Sequence, residues 1–278
     1  MLTLKSVKQE LGYPNENATS DEELKRYIRQ VTGRIRQRTG RLIAYACDDI
    51  QKGTTTADLR VIGHGLRTGD YVYVEGSDST PSADGEYQVT VVDVDTLRIT
   101  KTLTKSGRTA TVHPKLTAEF RSVREDYCWI PQRWVPLLEI TKLYFRSDQT
   151  TWTLQDSSYY RLVQDPVLPK AAKIEWIGSS GGFPVWTEFP RGQWGLRQKS
   201  SAVNVRMEFY AGTDRVPDEI QMAGESLVMD MWEMSGGPKD LQSVGEGGVS
   251  STRMSAAERK DHLLSPDSIL SSWRAMEI

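Results

Sequence analysis

A chain of 278 residues, 38% hydrophobic and 26% charged, is long enough for one large domain or two smaller ones and too apolar for wholesale disorder. Its 35 Lys and Arg against 37 Asp and Glu give a formal net charge of −2, which excludes a global attraction to nucleic acid or to an anionic membrane; either contact would need a local patch. No apolar run reaches bilayer length, the opening "MLTLKSVKQELGYP" does not read as a signal peptide, and Cys47 and Cys128 form neither a metal motif nor a disulfide framework, so synthesis in a reducing cytoplasm is expected.

The first predicted element is a short helix capped by Thr3, with Leu4, Val7 and Leu11 on one face, ended by Gly12 and Pro14. The second, within "NENATSDEELKRYIRQVTGRIRQRTGRL", is the strongest helix in the chain. Ser20 and Glu23 read as a capping box, and Leu24, Tyr27, Ile28, Val31 and Ile35 as one apolar stripe. Its other face is basic. Arg26, Arg29 and Arg36, with Arg41 just beyond the helix, are candidates for a subunit or channel surface; the plainer reading is a solvated face.

From Asp48 to His113 the pattern changes to period two. "DLRVI", "YVYVE", "YQVTVV" and "TLRIT" read as strands, separated by turn signals at Gly63-His64-Gly65, Thr68-Gly69-Asp70 and Asp84-Gly85. Strands this short and this closely spaced predict a small barrel or sandwich, with Cys47 and Cys128 bracketing it as reduced neighbours. His64 has no partner at metal-ligand spacing and reads as a turn residue. The string "GHGLRTGDYVYVEG…DGEYQVTVVDVDTLRI" resembles a small β-module found as an insert in phage structural proteins.

Further strands follow at "LLEITKLYFR", "WTLQ", "YYRLV" and "AKIEWIG", then an aromatic loop, "GSSGGFPVWTEFPRGQWG". Trp129, Trp134, Trp152, Trp176, Trp186 and Trp194 crowd this central part, as core packing or as a sugar- or subunit-binding surface. In "VNVRMEFYAGTDRVPDEIQMAGESLVMDMWE", Val203, Val205, Met207 and Phe209 alternate along a strand. Pro217 then starts a helix whose Ile220, Ala223, Leu227, Val228, Met231 and Trp232 form a buried stripe. A Gly/Ser-rich linker spans 236–254. The closing segment 265–278 carries Ile269, Leu270, Trp273 and Met276 at helical spacing beside Arg274.

No reaction is legible. The chain has no phosphate-cradling loop, no nucleophile elbow and no histidine with a catalytic or metal partner, so neither an enzyme nor a cofactor is expected.

The order of elements resembles the head–tail connector (adaptor) family of tailed double-stranded DNA bacteriophages. The residues that carry the likeness are "LTLKSVKQELG", "SDEELKRYIRQVTGRIRQRTGR", the strand–Val-Pro–helix segment just quoted, and "LLSPDSILSSWR". The resemblance implies a virion protein at the portal vertex, assembled as a ring homo-oligomer, a dodecamer in that family. The ring would extend the DNA channel and pass packaged DNA without sequence-specific contact. Its partners would be the portal protein above and a tail or second connector protein below, with no membrane; Ile269, Leu270, Trp273, Arg274 and Met276 become portal-contact candidates. A rival reading is a tail or fibre accessory protein that binds host carbohydrate through the β-module and the Trp-rich loop.

The expected fold class is α+β. An α-helical bundle core is built from both chain ends (1–47 and 116–278), around a β-rich middle and an inserted small β-barrel or sandwich module (48–115). In that core Leu24, Ile28, Val31 and Ile35 face Ile220, Leu227, Val228 and Met231.

Overall fold

The computed structural model describes residues 2–12, 18–39, 44–122, 127–131, 135–146, 151–164, 172–177, 203–212 and 218–235. Helix α1 (Leu4–Glu10) starts at Thr3, whose hydroxyl accepts from the Ser6 N–H at 3.0 Å while Ser6 Oγ accepts from the Thr3 N–H, so two end donors are satisfied reciprocally. Helix α2 (Ala18–Thr39) begins before the expected cap. Ser20 and Glu23 therefore lie within the helix, and the Glu23 carboxylate accepts instead from Tyr27 Oη at 2.7 Å and Arg26 at 3.1 Å. Helix α3 (Asp218–Met234) opens with Asp218 and Glu219 at its positive end.

Between α2 and α3 the described residues are mainly β. The strands are β1 (Tyr45–Cys47), β2 (Ile50–Lys52), β3 (Ala57–Arg60), β4 (Tyr71–Glu75), β5 (Gly85–Gln88), β6 (Thr90–Asp93), β7 (Thr96–Ile99), β8 (Ala110–Ser122), β9 (Tyr127–Ile130), β10 (Leu137–Arg146), β11 (Thr153–Leu154), β12 (Tyr160–Gln164), β13 (Ala172–Trp176) and β14 (Val203–Ala211). They form a large sheet ordered β11-β10-β14-β8-β4-β5, with β1 also on β8, and two smaller sheets, β12-β13-β9 and β2-β3-β7-β6.

The expected α-helical bundle core is corrected by this architecture. Among the described residues the protein is mostly β, 44% strand against 26% helix, with three helices and a curled half-barrel sheet. The physical reason lies in the supply of buried side chains. Three helices furnish one apolar cluster, whereas the period-two segments furnish two, each built around strands. One β cluster sits between the large sheet and β12-β13-β9, centred on Leu143, Val205, Met207, Phe209, Cys128 and Ile174. The other fills the small module with Ile50, Leu59, Val72, Val74, Leu97, Ile99 and Val112.

Strand β8 links these parts. Ala110–Val112 pairs with β1 and Thr111–Pro114 with β4, inside the module; Lys115–Ser122 pairs with β14, outside it. The chain thus enters and leaves the module on paired strands, Cys47 opposite Ala110, and β8 runs unbroken across residue 115. Pro114, which lacks an N–H, stands between the stretch paired with β1 and the stretch paired with β14. The two cysteines are unoxidised thiols buried in different clusters, Cys47 in the module and Cys128 between the sheets.

Candidate functional site

Leu24, Tyr27, Ile28, Val31 and Ile35 of α2 share one buried cluster with Ile220, Ala223, Leu227, Val228 and Trp232 of α3 and with Leu4, Val7 and Leu11 of α1; Met231 packs against it, partly buried. The Tyr27 and Trp232 rings meet edge to face, 6.3 Å apart. Ile62, from the β module, is buried in the same cluster, so the helical layer is completed by the module.

The basic face of α2 lies partly against that module. Arg29 reaches Asp95 at 2.9 Å, and the other Asp95 oxygen accepts from the Gly63 N–H at 2.9 Å. Arg36 donates to Tyr45 Oη at 3.0 Å and stacks on its ring, centroid 4.1 Å away. Arg26 pairs with Glu23 and lies over Tyr27 on its own helix. Two of the arginines proposed for an outer surface are therefore engaged inside the subunit. Arg41 and the segment with Ile269, Leu270, Trp273, Arg274 and Met276 lie outside the described residues.

Around this seam the module supplies its own anchors. Asp48, with 5% of its side chain exposed, accepts from Arg60 Nε at 2.6 Å and from the Leu4 N–H at 3.0 Å, so it also holds the first turn of α1. Burial disfavours the Arg60 cation, but its hydrogen bond to Asp48 and the negative charges of Asp48 and Asp49 together outweigh that and leave it more basic than usual. His64 is buried in its turn: the Leu66 N–H donates to Nδ1 at 3.0 Å, so Nε2 carries the proton and donates to the Asp93 carbonyl at 3.0 Å. Both ring nitrogens are used by the turn. His113 is likewise buried, with Nδ1 3.3 Å from the Ala211 carbonyl, joining the module end of β8 to the end of β14.

The outer side of the large sheet is rich in charged and polar side chains. Along β10, β14 and β8, buried Phe145, Val205 and Met207 alternate with outward side chains. Arg146, Asn204 and Arg121 form one cross-strand row, Tyr144, Arg206 and Glu119 the next, and Lys142, Glu208 and Thr117 a third. Arg206 lies 3.4 Å from Glu119 and Lys142 3.5 Å from Glu208. Trp152 lies against Arg146 at 4.7 Å and Arg206 at 5.9 Å. Further along, Lys115 pairs with Glu86 at 3.1 Å and faces the rings of Tyr71 and Tyr210. Burial and the adjacent Glu86 carboxylate raise the Tyr210 phenol well above its usual range; the Tyr210 hydroxyl in turn lowers Glu86.

Exposed apolar side chains include Leu154 on β11, opposite Tyr144 and so on this same face, with Trp129 on β9, Tyr159 and Ile177 beside β13, and Met222 and Met234 on α3 away from it. Sequence reading missed the outer sheet face because its residues come from three separated segments that only strand register aligns. The one signal available was the polar position of each arginine in a period-two run.

Among the described residues no group of three or more His, Cys, Asp or Glu is placed to hold a metal ion, and no helix is long and apolar enough to cross a membrane. Comparison with protein-family models gives no match, and comparison with curated proteins gives none either.

Proposed function

We propose that this chain is a head–tail connector subunit of a tailed double-stranded DNA bacteriophage, a ring component that sits under the portal and receives the tail. One observation carries the reading: helices from the two ends of the chain meet in a single cluster, and strand β14 runs to Ala211-Gly212 immediately before the segment that leads into α3. That order and that pairing are the features on which the likeness to connectors rests. The work of such a subunit is binding alone, through surface buried between copies and between ring and portal. The exposed Met222 and Met234 on α3 are adaptable apolar side chains suited to such contacts.

The test is to add the purified chain to DNA-filled, tailless heads and image them by cryo-electron microscopy. A ring of density below the portal is expected, together with its loss when residues 265–278, which hold Ile269, Leu270, Trp273, Arg274 and Met276, are removed. Absence of any density at the portal vertex overturns the proposal. Trp129 and Tyr159, each about half exposed, favour the carbohydrate-binding accessory protein as second reading. Density on tail fibres, with binding to a glycan array lost in Trp129→Ala, would establish that one instead.

A further inference from the structure

We infer that the end of the outer sheet face formed by Arg121, Arg146, Arg206, Asn204 and Trp152 is a binding site for the phosphodiester backbone of a nucleic acid. This inference stands on the geometry of the sheet and does not depend on the connector reading. Register sets the arrangement. Arg146 is opposite Asn204, and Asn204 is opposite Arg121, so the two arginines flank an amide across three neighbouring strands, roughly 10 Å apart at the backbone. Arg206 lies two residues further along β14, about 7 Å away on the same face.

Charge is unbalanced here, unlike in the rows beyond. Among the described residues of these two rows, three guanidiniums stand against one carboxylate, that of Glu119, an excess of two positive charges. Lys142 and Lys115, by contrast, each have a carboxylate of their own. The donors are also underused. Among the described residues Nε of Arg146 has no hydrogen-bonded acceptor, Nε of Arg206 has only the Glu119 carboxylate at 3.4 Å, too poorly placed for a hydrogen bond, and Arg121 is exposed. Each guanidinium is a planar fork that binds a phosphate through two parallel hydrogen bonds. Forks held separately on a rigid sheet suit a polymer of repeated anions. The Asn204 amide adds a neutral donor. The Trp152 ring, which holds Arg146 and Arg206 in place, adds an aromatic surface of the kind that nucleic-acid grooves combine with positive charge. A run of Asp and Glu would use the forks but carries no ring to place against the indole, whereas every nucleotide carries a base.

The experiment measures fluorescence anisotropy of labelled 20-nucleotide DNA, single-stranded and duplex, with the full chain at a series of salt concentrations. Binding that weakens with salt is expected, and the two DNA forms show which source the site prefers. The double variant Arg121→Glu/Arg146→Glu should bind at least about tenfold more weakly, and its slope of log affinity against log salt should flatten by about 1.4 on single strands, the value for two lost phosphate contacts. Arg67→Glu/Arg108→Glu, an equal charge change on two exposed arginines of the module, should stay within about twofold of wild type. The site is refuted if wild type does not bind at low salt, if the double variant binds like wild type, or if polyglutamate of matched charge displaces the DNA as well as unlabelled DNA does. Should the double variant not fold, phenylglyoxal modification of the wild-type protein replaces it. Protection of Arg121 and Arg146 by the oligonucleotide supports the site, and equal modification with and without DNA overturns it.

Discussion

Asp48 shows how much a single side chain can organise. One oxygen neutralises Arg60, the other caps α1, and the carboxylate is nearly buried. Asp48→Ala removes three charge-assisted hydrogen bonds, from the Leu4 and Lys5 N–H groups and from Arg60, and leaves Arg60 without its closest acceptor. A loss of roughly 3 kcal/mol is expected in urea denaturation at neutral pH; a change within error would show the contact to be idle. Cys47 gives a prediction about pH. Burial pushes its thiol up from 9.0 to about 12, so the folded state favours the protonated form. Stability from this source is fully present below pH 9 and is lost as pH rises through about 12. The denaturation midpoint of wild type should fall in that window, and Cys47→Ala should fall less. In the native state at pH 8 neither buried thiol should react with Ellman's reagent; release of either before unfolding would contradict the burial.

At the scale of elements, the helical layer and the module are held by different means. The helices pack by apolar stripes, and Ile28 and Leu227 are each buried in the shared cluster. Ile28→Ala and Leu227→Ala should each cost about 2–5 kcal/mol, and the double variant should depart from additivity because the two sites share neighbours. Thermal melts of the three variants measure this, and unchanged melting points would deny the pairing. The module meets α2 through a tight turn. Gly63 has φ +63°, and a Cβ there would come within 2.8 Å of Arg29 Cγ. Gly63→Ala therefore combines left-handed backbone strain with a clash against the arginine that pairs with Asp95. A loss of about 1–2 kcal/mol is expected from the backbone alone, read by the same melts; Gly65→Ala, at φ +64° in open space, isolates the strain from the clash.

For the whole molecule, the decisive element is β8. It belongs to the module over its first residues and to the large sheet over the rest, and Ile62 and Asp95 of the module complete the helical layer. Calorimetry should accordingly show one cooperative transition for helices, module and large sheet, with matching calorimetric and van't Hoff enthalpies. Two separated transitions would mean that the module is an independent unit merely spliced in.

The sequence alone determined the elements whose signals are local. The Thr3 cap, the 3.6-residue stripes of α2 and α3, and the alternation of β4, β7, β10 and β14 are written in neighbouring residues, and so is the role of His64 between two turn glycines. Tertiary structure decided what depends on residues far apart in the chain. β8 was obscured by Pro114, whose missing N–H argues against a strand until its place between two partner strands is known. The balance of the core, β over α, depended on two sheets closing over one another, which no single segment announces. The fate of the arginines was decided in the same way. A run such as Arg29 and Arg36 is conspicuous on one helix, yet the module covers it. Arg121, Arg146 and Arg206 are inconspicuous in three separate strands, yet register gathers them on one open face, because side chains converge in a sheet by pairing between strands rather than by spacing within one.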